Sequence, residues 1–225
     1  MLLSHAHRFI YTKTVKTAGT SVEVYFENAC VPAGENRISG HYVEETVTSA
    51  GIIGYRGADP SGRTWYNHMP AKAIRDLIGC ATWDEYYKFC VVRNPFDKMV
   101  SLWWFINSKQ EHGRENQDFS KIRADFCSWC ASHAKFAIDR DKYLIDGRIS
   151  VDFFIRYEAL TDDLDNVCQQ IGYPFQPERL GRFKSDSRVI KRPFSDYYDR
   201  SAAAAVSAAF DWELDHFCYA RPSEA

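Results

Sequence analysis

The chain has 225 residues, of which 45% are hydrophobic and 26% are charged, a composition that excludes an intrinsically disordered chain and allows a sizeable core. The formal net charge of −2 excludes a generally basic surface of the kind that binds nucleic acid or an anionic membrane. Any anion site must therefore be local. At this length we expect a single domain over residues 1–225.

Hydropathy and cysteine usage bear on the compartment. No apolar run is long enough to span a membrane, and the segment before Arg8 is too short for a signal peptide, so we expect a cytoplasmic protein. The seven cysteines are scattered and odd in number, which indicates reduced thiols. Cys127 and Cys130 have the spacing of half a zinc or redox site, but no second close pair follows. We interpret them as one buried helix face and expect no metal.

The first predicted elements are a strand, a loop and a helix. Residues 9–12 are aromatic and β-branched, as strands are, and the loop 13–19 follows them. Thr20 with Glu23 makes a capping-box pattern, which predicts a helix that begins at Thr20. Residues 71–78 then form a second predicted helix, opened by Pro70 and stopped by Gly79.

The later elements repeat this alternation. Residues 86–92 predict a strand that leaves Arg93 at its carboxyl end, and Asn94 and Pro95 are typical N-cap and first-turn residues of a helix. Three further elements are expected: a strand over 151–157, a helix from N-cap Thr161 through Gln170 that Gly172 stops, and a C-terminal helix over about 201–218 with Val206, Phe210, Leu214 and Phe217 on one face.

Strands separated by helices predict an α/β fold, a three-layer sandwich with a mostly parallel central sheet. In such sheets ligands bind at the carboxyl ends of the strands, where the loops 13–20, 93–101 and 157–161 are expected to converge. Residues 107–150, which are polar at first and then aromatic, are a candidate helical lid or acceptor region.

The loop of residues 13–21, KTVKTAGTS, has the chemistry of a phosphate cradle. Ala18 and Gly19 allow the backbone to approach a ligand, the start of a helix supplies N–H donors, and Lys16 adds positive charge. The pattern differs from Walker A, because its lysine precedes the glycine and no glycine opens the loop, which disfavours a kinase or NTPase. Without further support, a solvated turn with an incidental lysine explains the loop equally well.

Three segments taken together resemble a known family. They are YTKTVKTAGTS at residues 11–21, VVRNPFDKMVSLW at 91–103 and FIRYEAL at 154–160. In this order they resemble the sulfotransferases that use 3′-phosphoadenosine 5′-phosphosulfate, with the closest likeness to carbohydrate-type enzymes (sulfotransferase family 2-like), including compact bacterial members. The segment RPFSDYY at 192–198 supports the likeness, which is loosest over 107–150.

The resemblance implies a P-loop-like loop that binds the 5′-phosphosulfate, and an Arg-x7-Ser element that binds the 3′-phosphate. The implied loop residues are Lys13, Lys16, Thr17, Ala18, Gly19, Thr20 and Ser21, and the implied 3′-phosphate residues are Arg93 and Ser101. Lys13 and Gly19 stand where many relatives carry Arg and Ser, which removes a bidentate contact at position 13. The basic segment 179–200 folds over the nucleotide in that family, which makes Ser185, Arg188 and Lys191 further candidates.

Sulfuryl transfer needs a group that stabilises the moving oxygens and a base for the acceptor proton. Lys16 suits the first role. His68, in YNHMPA, resembles the family segment with a functional histidine, and its place before a helix favours a neutral imidazole. For a histidine in an arbitrary sequence a packing role is the more frequent one, and His41 is a rival here, with Glu44 or Glu45 weaker.

The stretch before His68 is interrupted by Gly and Pro residues and is suited to a loop that binds the acceptor. It contains aromatic residues, whose faces stack on sugars, and arginines, which bind acidic groups. Its candidates are Arg56, Arg63, Trp65 and Tyr66, together with His68. The sequence therefore predicts a metal-free enzyme that transfers a sulfuryl group to a hydroxyl, most simply of a saccharide. The alternatives are a small alcohol or lipid-like acceptor, a kinase, and a nucleotide-binding module without catalysis.

Overall fold

The computed structural model describes residues 1–35, 42–107, 118–181 and 188–222. Its strands are β1 Leu2–Ser4, β2 Phe9–Thr12, β3 Thr46–Val47, β4 Gly51–Ile53, β5 Tyr87–Val92, β6 Leu144–Ile145, β7 Arg148–Ile149 and β8 Phe153–Arg156. Its α-helices are α1 Gly19–Phe26, α2 Ala71–Ile78, α3 Cys80–Glu85, α4 Pro95–Asn107, α5 Phe119–His133, α6 Leu160–Ile171, α7 Arg200–Ala209 and α8 Asp211–His216. Within these ranges, no helix is long and apolar enough to cross a membrane.

The central sheet is mixed, so the prediction of a mostly parallel sheet is confirmed for one half of the sheet only. Its strand order is β3-β4-β1-β2-β5-β8. The strands β2, β5 and β8 run parallel, whereas β1 pairs antiparallel with both β2 and β4, and β3 pairs antiparallel with β4. The sequence did not reveal the antiparallel half because its strands have only two or three residues, too few for a periodic pattern.

Side chains alternate between the two faces of this sheet, as the pleat requires. Leu2 and Phe9 pack with α1 and α6 in one apolar cluster. Leu3 and Ile10 pack on the other face with Ile74 of α2 and with α3. Helices therefore cover both faces, which is the three-layer arrangement that the sequence predicted.

The parallel half of the sheet determines where the first candidate residues lie. Because β2, β5 and β8 are parallel neighbours, their carboxyl ends at Thr12, Val92 and Arg156 lie at one edge of the sheet. The loop before α1 leaves from this edge. The expected boundaries of α2 are confirmed, with Pro70 before it and Gly79 after it.

The chain divides into two compact units, each built from two separate segments. The first unit comprises Met1–Val92 and Asp139–Phe183 and contains the sheet. The second unit comprises Arg93–Ile138 and Lys184–Ala225 and contains α4, α5, α7 and α8. The described part of the candidate lid segment is shared between them, because α5 belongs to the second unit and the β6-β7 hairpin to the first.

Aromatic side chains fill the core of the second unit. Trp103 and Trp104 of α4 are buried, and the indole of Trp104 donates to the Tyr197 hydroxyl over 3.2 Å. Cys127 and Cys130 lie buried on α5 as free thiols, which confirms the interpretation of one helix face. The Asn94 carboxamide oxygen accepts from the backbone of Phe96, which confirms the predicted N-cap of α4.

Two helix boundaries differ from the sequence predictions. The helix α6 begins at Leu160 with Ala159 as N-cap, so Thr161 does not cap it. The C-terminal segment forms two helices that break at Phe210, where the backbone leaves the helical region. The four residues expected on one face, Val206, Phe210, Leu214 and Phe217, are all buried.

Candidate functional site

The loop between β2 and α1 has an unusual backbone. Lys16 and Ala18 both have positive φ angles, 58° and 62°, which place them in the left-handed region. Ala18 is the N-cap of α1, and no side chain caps the helix, which begins at Gly19. The prediction that the helix begins at Thr20 with a capping box is therefore wrong. An uncapped helix start after left-handed residues presents N–H donors suited to an anion.

Short hydrogen bonds hold this loop against the sheet. The hydroxyls of Thr14 and Thr17 lie 2.6 Å apart, and Thr14 also donates to the backbone carbonyl of Val91. The backbone N–H of Val15 donates to Asp139 over 2.9 Å. Thr17 is buried by these contacts, whereas Lys16 is half-buried. The loop is therefore held at both threonines while the lysine remains accessible.

Glu23 is the centre of a buried ion-pair cluster. Its carboxylate lies 2.5 Å from the Lys13 ammonium and 3.0 Å from the Arg56 guanidinium, which also pairs with Glu27. Burial alone would raise the pKa of Glu23, but the positive charges of Lys13, the Met1 amino group and Arg56 lower it to about 2. Glu23 therefore binds cations inside the first unit and does not act as a capping-box partner.

Arg56 was predicted to contact the acceptor. Its side chain is 2% exposed and is committed to Glu23 and Glu27, so this placement favours a structural role. Trp65 is buried in the apolar cluster beside α2. Tyr66 is partly exposed, and Arg63 lies over the Tyr55 ring. Of these four predicted acceptor residues, Arg63 is thus exposed and Tyr66 partly exposed, whereas Arg56 and Trp65 are buried.

His68 lies against the candidate loop. Its Nδ1 is 3.1 Å from the backbone carbonyl oxygen of Lys13, and its own φ is 55°. Burial, together with the charge of Lys13, lowers the pKa of His68 to about 3, so the imidazole is neutral at neutral pH. Because a carbonyl only accepts, Nδ1 carries the proton and Nε2 has the free lone pair. The structure thus brings His68 and the loop together.

The second unit contains a separate cationic cluster. Asp97 accepts hydrogen bonds from Arg93 Nε and Nη2, at 2.9 and 2.6 Å, and from Arg188 Nη1 at 2.8 Å. Arg188 Nε is buried and makes no hydrogen bond to any described residue. Ser101 is partly exposed on α4 and Lys191 is exposed. One carboxylate therefore orients two guanidinium groups, which leaves a net positive charge.

Comparisons with known proteins assign the family. A family model described as the sulfotransferase domain matches residues 58–188, more than half of the chain. This chain is a member of that family. An uncharacterized protein of Archaeoglobus fulgidus is 32% identical over 108 residues, which cover 47% of this chain and 84% of that protein. No solved structure matches.

The sulfotransferase match contains some of the candidate residues and not others. His68, Arg93, Ser101 and Arg188 lie inside the matched range, whereas the loop that carries Lys16 precedes it. Two further candidates, His41 and Ser185, lie outside the described residues. Among the described residues, no cluster of three or more side chains suited to a metal ion occurs.

The sequence does not indicate the roles of three residues of this sulfotransferase. The capping-box pattern places Glu23 in a helix cap, and the motifs around Asn67 and Asp97 give these two residues no role of their own. Asp97 has a signal that reveals it, since an Arg and an Asp four residues apart at the start of a helix are placed to pair. The sequence signal for Glu23 is weaker: it is an acidic residue within the apolar pattern of α1.

Proposed function

We propose that this sulfotransferase moves the sulfuryl group of 3′-phosphoadenosine 5′-phosphosulfate to a hydroxyl group, without a metal. The observation that supports it most strongly is the meeting of a left-handed lysine loop with a neutral histidine. Lys16 has a φ of 58°, and the His68 imidazole is anchored to the same loop through Lys13. An anion cradle and a proton acceptor are thus adjacent in the first unit.

The residues of the loop fit a phosphosulfate group. The proposed ligands are Lys16, Thr17, Ala18, Gly19, Thr20 and Ser21. The buried hydroxyl of Thr12, at the end of β2, makes no hydrogen bond to any described residue, which leaves a donor at the base of the loop. We omit Lys13 from the ligands because its ammonium is committed to Glu23.

The cationic cluster of the second unit fits a phosphate dianion. Arg93, Ser101 and Arg188 are the proposed ligands of the 3′-phosphate. Asp97 orients both guanidinium groups, and such preorganised forks bind phosphate oxygens with little loss of side-chain freedom. Lys191 adds long-range attraction from an exposed position. Ser185 stays a prediction from the family likeness.

In the proposed reaction each group has one role. The acceptor hydroxyl gives its proton to His68 Nε2 as its oxygen forms the new bond to sulfur. The bond between sulfur and the bridging oxygen of the donor breaks, and adenosine 3′,5′-bisphosphate leaves. Lys16 stabilises the negative charge on the departing phosphate and the sulfuryl oxygens. A bound anion also raises the pKa of His68 from its low value, because negative charge favours the imidazolium.

For the acceptor we propose a saccharide of low charge. Tyr66, two residues before His68, is partly exposed although it packs against the apolar cluster beside α2, and aromatic faces stack on sugar rings. The guanidinium of Arg56 is buried, and that of Arg63 pairs with Glu44 over 2.9 Å, so neither predicted arginine favours an acidic acceptor. Turnover assays with neutral oligosaccharides, sulfated oligosaccharides and small alcohols test this choice, and selective turnover of a small alcohol would contradict it.

Thermal denaturation tests the donor. At about a hundred times the dissociation constant, a ligand stabilises a protein by about 2.7 kcal/mol, or about 5–10 °C at this size. We expect adenosine 3′,5′-bisphosphate to give a shift of this order, and adenosine 5′-phosphate a much smaller one. A larger shift with ATP would overturn the proposal.

Two substitutions test the catalytic roles. We expect His68→Ala to abolish transfer while the bisphosphate still raises the melting temperature, because the base is not a donor ligand. Lys16→Ala is expected to reduce both the rate of transfer and the rise in melting temperature that the bisphosphate causes. The matched control for Lys16→Ala is Lys121→Ala, because Lys121 is an exposed lysine on α5. Near-normal turnover in His68→Ala would exclude that residue as the base.

A further inference from the structure

Lys13 contacts the His68 segment at two points. Its backbone carbonyl accepts the hydrogen bond from His68 Nδ1, at 3.1 Å. Its side-chain ammonium donates to the Oδ1 atom of Asn67, at 3.2 Å. The main chain of one residue therefore sets the tautomer of the imidazole, and its side chain holds the adjacent residue.

The Lys13 ammonium is itself firmly held. It lies 2.5 Å from Glu23 Oε2 and 3.4 Å from Thr20 Oγ1, besides the contact to Asn67. An ammonium has three protons, and these three acceptors match them. The stem of Lys13 crosses the start of α1 so closely that a Cβ atom at Gly19 would lie 2.8 Å from Lys13 Cγ. The side chain is therefore confined along its whole length.

His68 needs such support because of its backbone. A φ of 55° is the left-handed conformation, which costs a non-glycine residue about 1–2 kcal/mol. Asn67, just before it, is tied through its N–H to the Tyr55 carbonyl over 2.9 Å and through its side chain to Lys13. Removal of either bond frees the segment to relax out of the left-handed conformation.

We propose that Lys13 and Asn67 are positioning residues for His68. Lys13 keeps the imidazole proton on Nδ1 so that Nε2 accepts the proton of the substrate, and the Lys13–Asn67 bond holds the backbone that carries the ring. The proposal rests on the proposed function in one respect, namely that His68 takes that proton. It gives Lys13 a role different from the phosphosulfate contact that the family likeness implies.

The charged groups near the imidazole act on it in opposite directions. Lys13 and the Met1 amino group favour the neutral ring, whereas Glu23 favours the charged one. A loosened Lys13 side chain therefore changes both the geometry and the field at His68. A residue that only stabilised the fold would change neither the tautomer nor the pH profile of turnover.

Nitrogen-15 NMR of histidine-labelled protein tests the tautomer without any turnover. In the wild type at neutral pH, we expect His68 to show a protonated Nδ1 and an unprotonated Nε2. In Asn67→Ala we expect a mixture of the two neutral tautomers, since the ring is no longer held over the Lys13 carbonyl. A wild-type spectrum with the proton on Nε2 would overturn the proposal even if no variant folds.

Kinetics provide the second measurement. We expect Asn67→Ala to lower kcat on the order of ten-fold with the KM of the donor little changed, because misplacement of a catalytic group by about 1 Å costs up to about a hundred-fold. Asn67→Asp keeps an oxygen for Lys13, so it is expected to restore most of kcat. Its added negative charge raises the pKa of His68 and moves the acid limb of the pH profile upward.

Asn107→Ala is the matched control. This residue also loses one hydrogen bond from its side chain, to the Trp103 carbonyl at 2.8 Å, but it belongs to the second unit. We expect it to keep the wild-type tautomer and kcat. An Asn67→Ala protein with wild-type tautomer and kcat would refute the positioning role. If the NMR results are as expected but His68→Ala still turns over, Lys13 and Asn67 do position the imidazole, and the assignment of His68 as the base is wrong.

Discussion

Replacement of Glu23 by glutamine tests the buried charge cluster of the first unit. Glu23→Gln keeps the shape of the side chain but removes the anion that Lys13 and Arg56 share. Both cations are less than 5% exposed, so water cannot replace the lost charge. Breaking a buried pair by removal of one partner costs about 3–5 kcal/mol.

The pKa of Glu23 gives an independent magnitude. It falls from an ordinary value of 4.5 to about 2, mainly because the cations outweigh burial. One pKa unit corresponds to about 1.4 kcal/mol, so the ionised carboxylate contributes about 3 kcal/mol at neutral pH. Because the folded pKa lies below the unfolded one, this stability is complete above about pH 4.5 and is lost as the pH falls towards 2.

Urea and thermal denaturation measure the effect. At pH 7 we expect Glu23→Gln to lower the free energy of unfolding by about 3 kcal/mol and the melting temperature by about 6–12 °C. The gap to the wild type should narrow below pH 4.5. The exposed Glu178→Gln is the control, with a change within about 0.5 kcal/mol. A loss below about 1 kcal/mol in Glu23→Gln, or a gap that does not narrow in acid, would refute the reasoning.

Two further predictions concern the α1 start and the cationic cluster. Gly19→Ala is expected to destabilise by about 1–3 kcal/mol in thermal denaturation, because its Cβ meets Lys13 Cγ at 2.8 Å. The neighbouring Ala18→Gly should change the melting temperature little, since relief of its left-handed φ and the added freedom of the unfolded chain are each about 1 kcal/mol. Arg188→Ala should reduce the melting shift caused by adenosine 3′,5′-bisphosphate, whereas the exposed Arg221→Ala should not; equal shifts in both would exclude Arg188 as a ligand.

The elements that the sequence predicted well are those with strong local signals. The strand β2 and the helix α2 lie where their patterns place them, because β-branched residues and a Pro–Gly pair act within a few residues. The sequence predicted the N-terminal boundaries of α1 and α6 less well. Thr20 and Thr161 both have capping chemistry, yet each helix begins one residue earlier, since the backbone can start a helix without a side-chain cap.

Among the candidate site residues, local sequence placed Lys16 in a loop after a strand and before a helix, and Arg93 after β5. It could not assign the partners of charged side chains, because an ion pair joins residues that are distant along the chain. Arg56 illustrates this limit: its motif resembles an acceptor loop, and only the fold buries it against Glu23 and Glu27.

The sequence by itself thus determined an α/β chain with a formal net charge close to zero, and it predicted candidate anion-binding residues in local loops. Tertiary structure decided three other features: the antiparallel half of the sheet, the burial of Lys13 and the tautomer of His68. Each depends on pairing across many residues, where strands of two or three residues or a single carbonyl oxygen find partners only once the chain has folded. The ammonium of Lys13, for which the family likeness implied a contact to the phosphosulfate, faces the carboxylate of Glu23 for the same reason.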